Sequence, residues 1–327
     1  MHVLITGAAG MIGRKLAERL GRDGAVLGTA IDRLTLADVV PAARPASFGG
    51  AVDIVTSDLG APSTAAALLE RRPGLIFHLA AIVSAEAELD FDKGYRVNLD
   101  GMRALLEAIR ACGEGYRPNF VFTSSAAAYG APFPDVIGDD FILTPHTSYG
   151  TQKVMCELML ADYTRRGFVD GVGIRLPGVC VRPGKPNKAA SGFWSNIIRE
   201  PLIGVPAVLP VPDSVRHTLA SPRAVTGYLL HAAGLPRGPL AGRITLTMPG
   251  VCCTVAEQIE ALRRTAGDKA VARIRREPDA TIARIVAGWP HRFAATRALA
   301  MGFRPDASFD DIIRIHIEDE LGGAIAA

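Results

Sequence analysis

The sequence lacks long apolar runs, which argues against a membrane-spanning protein. Its longest apolar stretch, residues 75–83, is far shorter than the roughly 20 residues that a transmembrane helix needs. No secretory signal fits before a strand that is predicted to begin at His2. We therefore expect a cytoplasmic protein that makes no membrane contact.

Cysteine is also scarce. The chain has five cysteines, an odd number, and they do not show the spacing of a metal site. Cys252 and Cys253 are adjacent, which is a poor geometry for a structural disulfide bond. We therefore expect reduced thiols and no bound metal.

A strong excess of one charge is missing too. The formal net charge is +3 over 327 residues, and the arginine pairs are scattered along the chain. Nucleic-acid-binding domains instead concentrate basic residues on one face or stripe. The charge pattern thus predicts that nucleic acid is not a partner.

What the sequence does contain is enough apolar material, 49% of its residues, to bury a large core. Apolar runs of strand length alternate with helical stretches as far as Arg175, and this alternation predicts an α/β fold with a parallel sheet covered by helices on both faces. The predicted strands cover residues 3–5, 26–31, 52–55, 75–79, 120–123 and 172–175, and the predicted helices include residues 11–20, 63–71 and 149–166.

Domain organisation follows from a change in composition after residue 177, where prolines become frequent. We predict a first domain over residues 1–177, with a return segment at about 214–248 that rejoins its sheet. Residues 178–213 and 249–327 are predicted to form a smaller substrate-binding lobe.

A glycine-rich turn follows the first predicted strand and opens the first helix. That context is typical of a Rossmann fold, a doubly wound sheet whose first turn lets a dinucleotide pyrophosphate approach the backbone at a helix N-terminus. The predicted cofactor-binding residues in this turn are Gly7, Ala9, Gly10, Met11, Ile12 and Gly13.

Asp32 follows the second predicted strand, nineteen residues after Gly13. A carboxylate at that point can accept hydrogen bonds from the adenosine ribose and repel a 2′-phosphate, so the sequence favours NAD over NADP. Two alternatives stay open, because Arg33 could pair with a 2′-phosphate and Asp32 could be an ordinary turn residue. Asp58 and Leu59, after the third strand, could bracket the adenine or belong to a simple loop.

The candidate catalytic residues are Tyr149 and Lys153, which lie four positions apart and so share one face of a helix. A nearby ammonium favours the phenolate form and lowers the pKa of a tyrosine, so that it can take an alcohol proton. Ser125, at the end of the fifth predicted strand, could hydrogen-bond the substrate oxygen. Ser124 is its rival, because neighbouring strand residues point in opposite directions.

These motifs together resemble the extended short-chain dehydrogenase/reductase family, over nearly the whole chain. The segments that carry the resemblance are the turn at Thr6–Gly13, His78-Leu79-Ala80-Ala81, Val97–Gly101, the double serine before Tyr129 and the Tyr149/Lys153 pair. The resemblance implies that Lys153 also holds the nicotinamide ribose and that Asn98 supports the site, although Asn98 could be purely structural. It implies cofactor contacts at Leu79, Ala80, Ala81, Asn98, Tyr149, Lys153 and Pro177, with His78 as a packed residue, and it implies a homodimer formed by the helices near residues 97–112 and 149–166.

Departures from the sugar-nucleotide members narrow the predicted activity. Ala126 and Ala127 stand where dehydratases of the family carry an acidic pair. The segment directly after the sixth strand reads Arg175-Leu176-Pro177-Gly178-Val179 and lacks the asparagine that helps epimerases to bind the nucleotide diphosphate. Arg216 stands where relatives hold substrate phosphates, and its planar guanidinium also suits a carboxylate, although Arg216 could serve only as a surface ion pair.

The pattern most resembles the branch of the family that oxidises D-erythronate, a short sugar acid, at C2. Its carrying segments include Arg182–Asn187, Arg199–Leu202 and His316–Glu320. The resemblance implies an NAD-dependent dehydrogenase acting on a short aldonate, with Ser84, Ser125, Tyr149 and Arg216 at the substrate. Two rivals remain: a nucleotide-sugar 4-epimerase that keeps its NAD bound, and a catalytically silent NAD-binding protein.

Overall fold

The computed structural model describes residues 1–61, 63–184 and 190–326. The chain divides into two compact units. The first contains Met1–Tyr129, Ile142–Leu176 and Thr226–Thr247, and the second contains Gly130–Phe141, Pro177–Val225 and Met248–Ala327. Gly130–Phe141, which the sequence placed in the first domain, clusters with the second unit, and the return segment begins at Thr226 instead of residue 214.

Fourteen strands are formed by the described residues. In chain order they are β1 (His2–Thr6), β2 (Ala25–Val26), β3 (Thr29–Ala30), β4 (Arg33–Asp38), β5 (Ala51–Thr56), β6 (Leu75–His78), β7 (Asn119–Ser125), β8 (Asp170–Leu176), β9 (Gly178–Val179), β10 (Ala207–Leu209), β11 (Arg216–Ala220), β12 (Thr245–Thr247), β13 (Val251–Thr254) and β14 (Ile274–Arg276).

Twelve α-helices are formed in the same described ranges, and a π-helix, Tyr95–Asp100, leads into one of them. The α-helices are α1 (Met11–Asp23), α2 (Thr64–Leu69), α3 (Ser84–Leu89), α4 (Phe91–Gly94), α5 (Gly101–Ala111), α6 (Ser148–Arg165), α7 (Phe193–Leu202), α8 (Pro222–Ala233), α9 (Val255–Val271), α10 (Ala280–Ala287), α11 (Thr296–Ala300) and α12 (Phe309–Glu320). None of the helices in these ranges is both long and apolar enough to traverse a lipid bilayer.

The first unit is built on a seven-stranded sheet in the order β12-β8-β7-β6-β1-β4-β5. Every adjacent pair in it is parallel. The central strands are almost wholly buried, as the uninterrupted apolar run Leu75-Ile76-Phe77 illustrates. Strand order reverses at β1, which places a crevice at the carboxyl ends of the strands there. This is the predicted Rossmann-like architecture, and the fold prediction is confirmed.

One strand of this sheet was predicted at the wrong position. The apolar run at residues 26–31 was expected to be the second parallel strand, but residues 25–30 form the small antiparallel hairpin β2–β3. Leu27 and Gly28 at its tip both have positive φ angles, 53° and 72°, which a continuous strand does not allow. The second parallel strand is β4, seven residues later in the chain.

The second unit has its own apolar core, which packs around α7, α9 and α12 and includes Trp194, Ile197 and Leu262. Its strands are short. They form a three-stranded sheet in the order β13-β11-β9 and a two-stranded parallel pair of β10 with β14. A capping box at Thr254 and Glu257 begins α9, and Ser308 caps α12 by accepting from the Asp311 backbone N–H.

Candidate active site

A cavity of about 510 Å³ lies at the carboxyl end of the parallel sheet in the first unit. The turn after β1, the ends of β4 and β5 and the loop after β6 all contribute to its wall. Predicted cofactor residues that line it are Gly7, Ala9, Gly10, Met11, Ile12, Gly13, Asp58, Leu59, Leu79, Ala80 and Ala81. Asn98, Tyr149, Lys153 and Pro177 are not among the described residues in its wall.

The glycine-rich turn fits a dinucleotide because two of its glycines have no room for a side chain. Gly7 has a φ of 74°, and a Cβ there would lie 2.6 Å from the Ala80 amide nitrogen. A Cβ on Gly13 would lie 2.2 Å from the Gly7 carbonyl oxygen. The turn therefore brings the start of α1 against the cavity, where its free N–H groups suit a pyrophosphate.

Asp38, at the carboxyl end of β4, is one of two acidic residues that line this cavity, the other being Asp58. One carboxylate oxygen accepts from the Ala9 backbone N–H at 2.9 Å, and the other accepts from the Val39 N–H at 2.7 Å. In the β1–β4 register Thr6 lies opposite Ala37, so Asp38 is level with the glycine turn. A carboxylate in this place suits the ribose hydroxyls of a bound adenosine.

Asp32, the predicted ribose ligand, is not among the described residues that line this cavity. Asp32 precedes β4 and lies at the amino end of the sheet, roughly 20 Å of strand away from Asp38. Its carboxylate contacts the N-terminal amine of Met1 at 3.2 Å, and 76% of its side chain is exposed. Arg33 also lies at that end, where its guanidinium pairs with Asp53 at 2.7 Å.

Asp58 and Leu59 form the turn after β5 at another side of the cavity. Asp58 accepts from the Gly60 N–H at 2.8 Å and pairs with the Arg96 guanidinium at 2.5 Å. The hydrogen bond from Arg96 holds the pKa of the Asp58 carboxyl below its ordinary value. Leu59 is buried, so this turn is fixed in place.

Asn98 lies on the π-helix that precedes α5 and is buried. Its side-chain oxygen accepts from the Ile82 N–H at 2.8 Å, and its side-chain nitrogen donates to the Ile82 carbonyl at 2.9 Å and to the Gln152 side-chain oxygen at 2.6 Å. Ile82 belongs to the loop that lines the cavity after β6. Asn98 therefore acts on that loop through its backbone.

Tyr149 and Lys153 lie on successive turns of α6, which begins at a Thr147 cap whose hydroxyl accepts from the Gly150 N–H at 3.0 Å. Lys153 is buried, donates to the Thr123 carbonyl at 2.8 Å, and has its nitrogen 5.5 Å from the centre of the Tyr149 ring. Burial lowers the pKa of Lys153 to about 8, while Cys156 and Glu157 oppose that shift. The ammonium therefore still predominates at neutral pH beside the phenol.

The two candidate serines at the end of β7 have different surroundings. Ser124 is buried, and its hydroxyl donates to Glu157, which is itself held by Arg175 at 2.6 Å. Ser125 is half-buried, and its hydroxyl oxygen accepts from the Ala127 N–H at 3.1 Å. The Ser125 hydroxyl proton is therefore available to a substrate oxygen, whereas the Ser124 hydroxyl is used within the protein.

His78, at the end of β6, is a packed residue. Its ring is buried, bonds the Thr6 hydroxyl at 2.8 Å and stacks against Phe122. Burial, with a smaller contribution from Lys153, lowers the pKa of His78 to about 3. The ring is thus neutral at physiological pH and buttresses the junction of β1 and β6.

The remaining predicted residues lie at separate places in the chain. Ser84 is the exposed first residue of α3 and follows Val83, which lines the cavity. Arg216 is the exposed first residue of β11 in the second unit, and Pro177 is buried at the start of the Pro177–Val225 segment of that unit. Lys185, Pro186 and Asn187, which belong to the predicted Arg182–Asn187 motif, lie outside the described residues.

Sequence reasoning missed Asp38 and Gln152. The run Leu34-Thr35-Leu36-Ala37 before Asp38 was the available signal, because it is the buried strand that carries the carboxylate to the cavity. Gln152 had no such signal, since a polar residue inside a helix gives no indication of its burial or its partner.

Comparison with known proteins supplies the family. Residues 3–212 match the family described as the NAD dependent epimerase/dehydratase family. The chain belongs to this family. The sequence-based assignment to the extended short-chain dehydrogenases/reductases is confirmed.

Relatives that match over the full length are named dehydrogenases. The D-erythronate dehydrogenase of Cupriavidus necator is 48% identical, with 98% of each chain covered. That of Haemophilus influenzae is 43% identical, covering 98% of this chain and all of the relative. The chain is accordingly an NAD(P)-type dehydrogenase, an oxidoreductase acting on a CH–OH group.

Solved structures agree on the fold. A crystal structure described as the nucleoside-diphosphate-sugar epimerase from Agrobacterium tumefaciens is 59% identical, with a TM-score of 0.97 and 99% of this chain and 95% of that chain covered. The GalE-like L-threonine dehydrogenase of Cupriavidus necator is 23% identical with a TM-score of 0.82, over 96% of this chain and 97% of the other, and shares the fold.

Proposed function

We propose that this protein oxidises a short sugar acid, D-erythronate or a close analogue, at C2 with NAD as the hydride acceptor. The observation that carries the proposed chemistry is the buried Lys153 ammonium, 5.5 Å from the centre of the Tyr149 ring. The names of the two full-length relatives support the choice of substrate.

NAD is proposed over NADP because of the residues at the end of β4. Asp38 would accept the ribose hydroxyls and would repel a 2′-phosphate. Val39 and Val40 follow it, and none of the described residues that line the cavity is basic. Arg33, the residue that could have paired with the phosphate, is held by Asp53 at the other end of the strand.

In the proposed mechanism the Tyr149 phenolate removes the proton from the C2 hydroxyl, whose oxygen receives a hydrogen bond from Ser125. Lys153 stabilises the phenolate electrostatically, because an ammonium nearby favours the charged form of the phenol. NAD, when bound, supplies the acceptor for the C2 hydride. Lys153 and Asp38 would hold the nicotinamide ribose and the adenosine ribose respectively, and Asn98 positions the loop between them.

We propose that Arg216 binds the substrate carboxylate and that Ser84 contacts the hydroxyl groups of the sugar acid. A guanidinium offers two parallel N–H donors that match a carboxylate. The supporting facts are the exposure of Arg216 at the start of β11 and of Ser84 next to the cavity wall. Replacement of Arg216 by methionine should raise the KM for the sugar acid and leave NADH affinity unchanged.

A 4-epimerase acting on nucleotide sugars is the second candidate, and the 59% identical structure described as an epimerase favours it. Such an enzyme would return the hydride to the sugar and release no NADH. The absence of an asparagine after β8, where the chain reads Arg175-Leu176-Pro177-Gly178, argues against this candidate.

The deciding experiment is a spectrophotometric screen for NADH formation with aldonates of four to six carbons, with UDP-sugars as the competing class. Stoichiometric NADH release on D-erythronate is the expected result. Conversion of a UDP-sugar without net NADH formation would replace the dehydrogenase proposal with the epimerase one.

We further propose that two copies associate through α5 and α6. Leu158 lies on α6 with 65% of its area exposed, and it supports an apolar contact on that helix. Leu158→Glu should halve the mass measured by light scattering. A wild-type protein that is already monomeric would contradict the dimer.

We propose the cytoplasm as the site of action. All five cysteines are free in the structure, and free thiols persist where the compartment is reducing.

A further inference from the structure

Gln152 occupies an unusual place between the two proposed catalytic residues of α6. Its side chain is fully buried, although it is polar and lies next to Lys153 in the sequence. Its oxygen accepts from the Asn98 side chain at 2.6 Å. Its side-chain nitrogen has no hydrogen-bond partner among the described residues.

Asn98, which is bonded to the cavity loop, fixes the orientation of the Gln152 side-chain amide. The Asn98 side chain makes hydrogen bonds with both the N–H and the carbonyl of Ile82. These two hydrogen bonds fix which atom of the Asn98 amide is the nitrogen donor. The group facing that donor must then be an oxygen, because a rotated Gln152 amide would place two donors against each other. The Gln152 nitrogen consequently points at Gly94, where a Cβ would lie 2.8 Å from it.

A buried donor without an acceptor costs stability unless the other end of the group compensates for it. The hydrogen bond between Gln152 and Asn98 therefore offsets the cost of burying this donor. Cys156, one turn further along α6, donates its thiol to the Asn98 backbone carbonyl at 3.2 Å. The catalytic helix thus holds Asn98 at both its side chain and its backbone.

We propose that Gln152 is a positioning residue that couples the cofactor-cavity loop at Ile82 to the helix that carries Tyr149 and Lys153. The path is continuous: the Ile82 backbone, the Asn98 amide, the Gln152 oxygen and the backbone of α6. Cofactor seated against residues 79–83 is thereby held in a fixed place relative to the catalytic pair. This proposal rests on the proposed function, which supplies the roles of the cavity and of Tyr149.

The test compares two substitutions of similar size. Gln152→Met removes the acceptor and keeps the volume, whereas Gln152→Glu keeps an oxygen facing Asn98 and exchanges the donor that has no partner for a second carboxyl oxygen. Titration with NADH, followed by its fluorescence, should show binding weakened about tenfold by Gln152→Met and by less than about threefold by Gln152→Glu. Circular dichroism establishes that each variant is folded.

A mutant cycle with Asn98→Ala separates coupling from packing. In that background Gln152→Met should cause no further loss of NADH affinity, because the path is already interrupted at Asn98. Binding within twofold of wild type in Gln152→Met, or an undiminished further loss in the Asn98→Ala background, would overturn the proposal. If Gln152→Met does not fold, loss of binding in a folded Gln152→Glu variant overturns it equally.

Failure of this proposal is distinguishable from failure of the proposed function. NADH binding does not depend on which substrate the enzyme takes, whereas the aldonate screen depends on the substrate alone. An inactive protein with the expected NADH titrations would retain the role of Gln152 in holding the cofactor loop.

Discussion

The two ends of the parallel sheet in the first unit carry similar residues with different consequences. At the carboxyl end, Asp38 binds the glycine turn and faces the cavity, and His78 is buried against Thr6. At the amino end, Asp32 is exposed beside the N-terminal amine, and His2 is half-buried beside Thr35. Of these residues, those at the carboxyl end of the sheet line the cavity or contact its wall, and those at the amino end are more exposed.

The difference arises because loops at the carboxyl ends meet at the point where strand order reverses. The turn after β1 and the loop after β6 approach closely there, with the Leu79 N–H donating to the Thr6 carbonyl at 3.1 Å. The helix that follows β1 directs its free N–H groups to the same place.

The largest expected contrast is in the pH dependence of stability. The folded pKa of His78, about 3, lies below the ordinary value, so the unfolded chain binds the extra proton first. The contribution of the neutral His78 to the free energy of unfolding is fully present above about pH 6.5. It is lost as the pH falls, and the loss reaches on the order of 3 kcal/mol by pH 4.

Urea unfolding at pH 7 and pH 4 measures this loss. His78→Asn retains a polar atom near Thr6 and should remove most of the pH-dependent part, whereas His2→Asn should remove much less because His2 is only half-buried. Equal changes in the two variants would contradict the comparison.

The second contrast uses two glycines. Gly13→Ala places a Cβ 2.2 Å from the Gly7 carbonyl, and we expect NADH binding to weaken about 100-fold, roughly 2.7 kcal/mol. Gly74→Ala is the matched control at the amino end, where the nearest atom to a new Cβ is 3.9 Å away. Isothermal titration with NADH distinguishes them, and normal binding by Gly13→Ala would show that the turn does not hold the cofactor.

A smaller effect is expected at the ends of β4. Asp38→Ala removes the proposed ribose acceptor, so NADH affinity should fall about tenfold, roughly 1.4 kcal/mol, while NADPH affinity falls less or rises. The ratio of the two dissociation constants is the measurement. An unchanged ratio would mean that Asp38 does not select the cofactor.

Asp32→Asn should have the smallest effect, less than about twofold on NADH affinity, because exposed ion pairs contribute little. The same titration applies. A tenfold loss of NADH affinity in Asp32→Asn would support Asp32 as the ribose ligand, as the sequence favoured, and would contradict the placement of β4.

These contrasts also indicate what the sequence could and could not predict. The strands of the first unit were recognisable because buried parallel strands are continuous apolar runs. The segment at residues 26–31 resembles such a run, although Gly28 and Thr29 interrupt it, and in the structure the positive φ angles at Leu27 and Gly28 make it a hairpin. Asp32 was chosen in place of Asp38 for this reason.

Side-chain burial explains the other limits of the sequence prediction. The spacing of Tyr149 and Lys153 follows from helical periodicity, but the separate roles of Ser124 and Ser125 depend on Glu157, which is distant in sequence. The proposed role of Gln152 depends on its hydrogen bond with Asn98, 54 positions earlier. The strands of the second unit were missed because each has only two to five residues, too few to show a periodic pattern.

The central claim is that Tyr149, acidified by Lys153, performs the proton transfer. Turnover with D-erythronate and NADH affinity should be measured together in Tyr149→Phe. We predict that kcat falls by about 1,000-fold, within the usual range for a lost general base, while the dissociation constant for NADH changes less than twofold. Near-normal turnover in this variant would contradict the account.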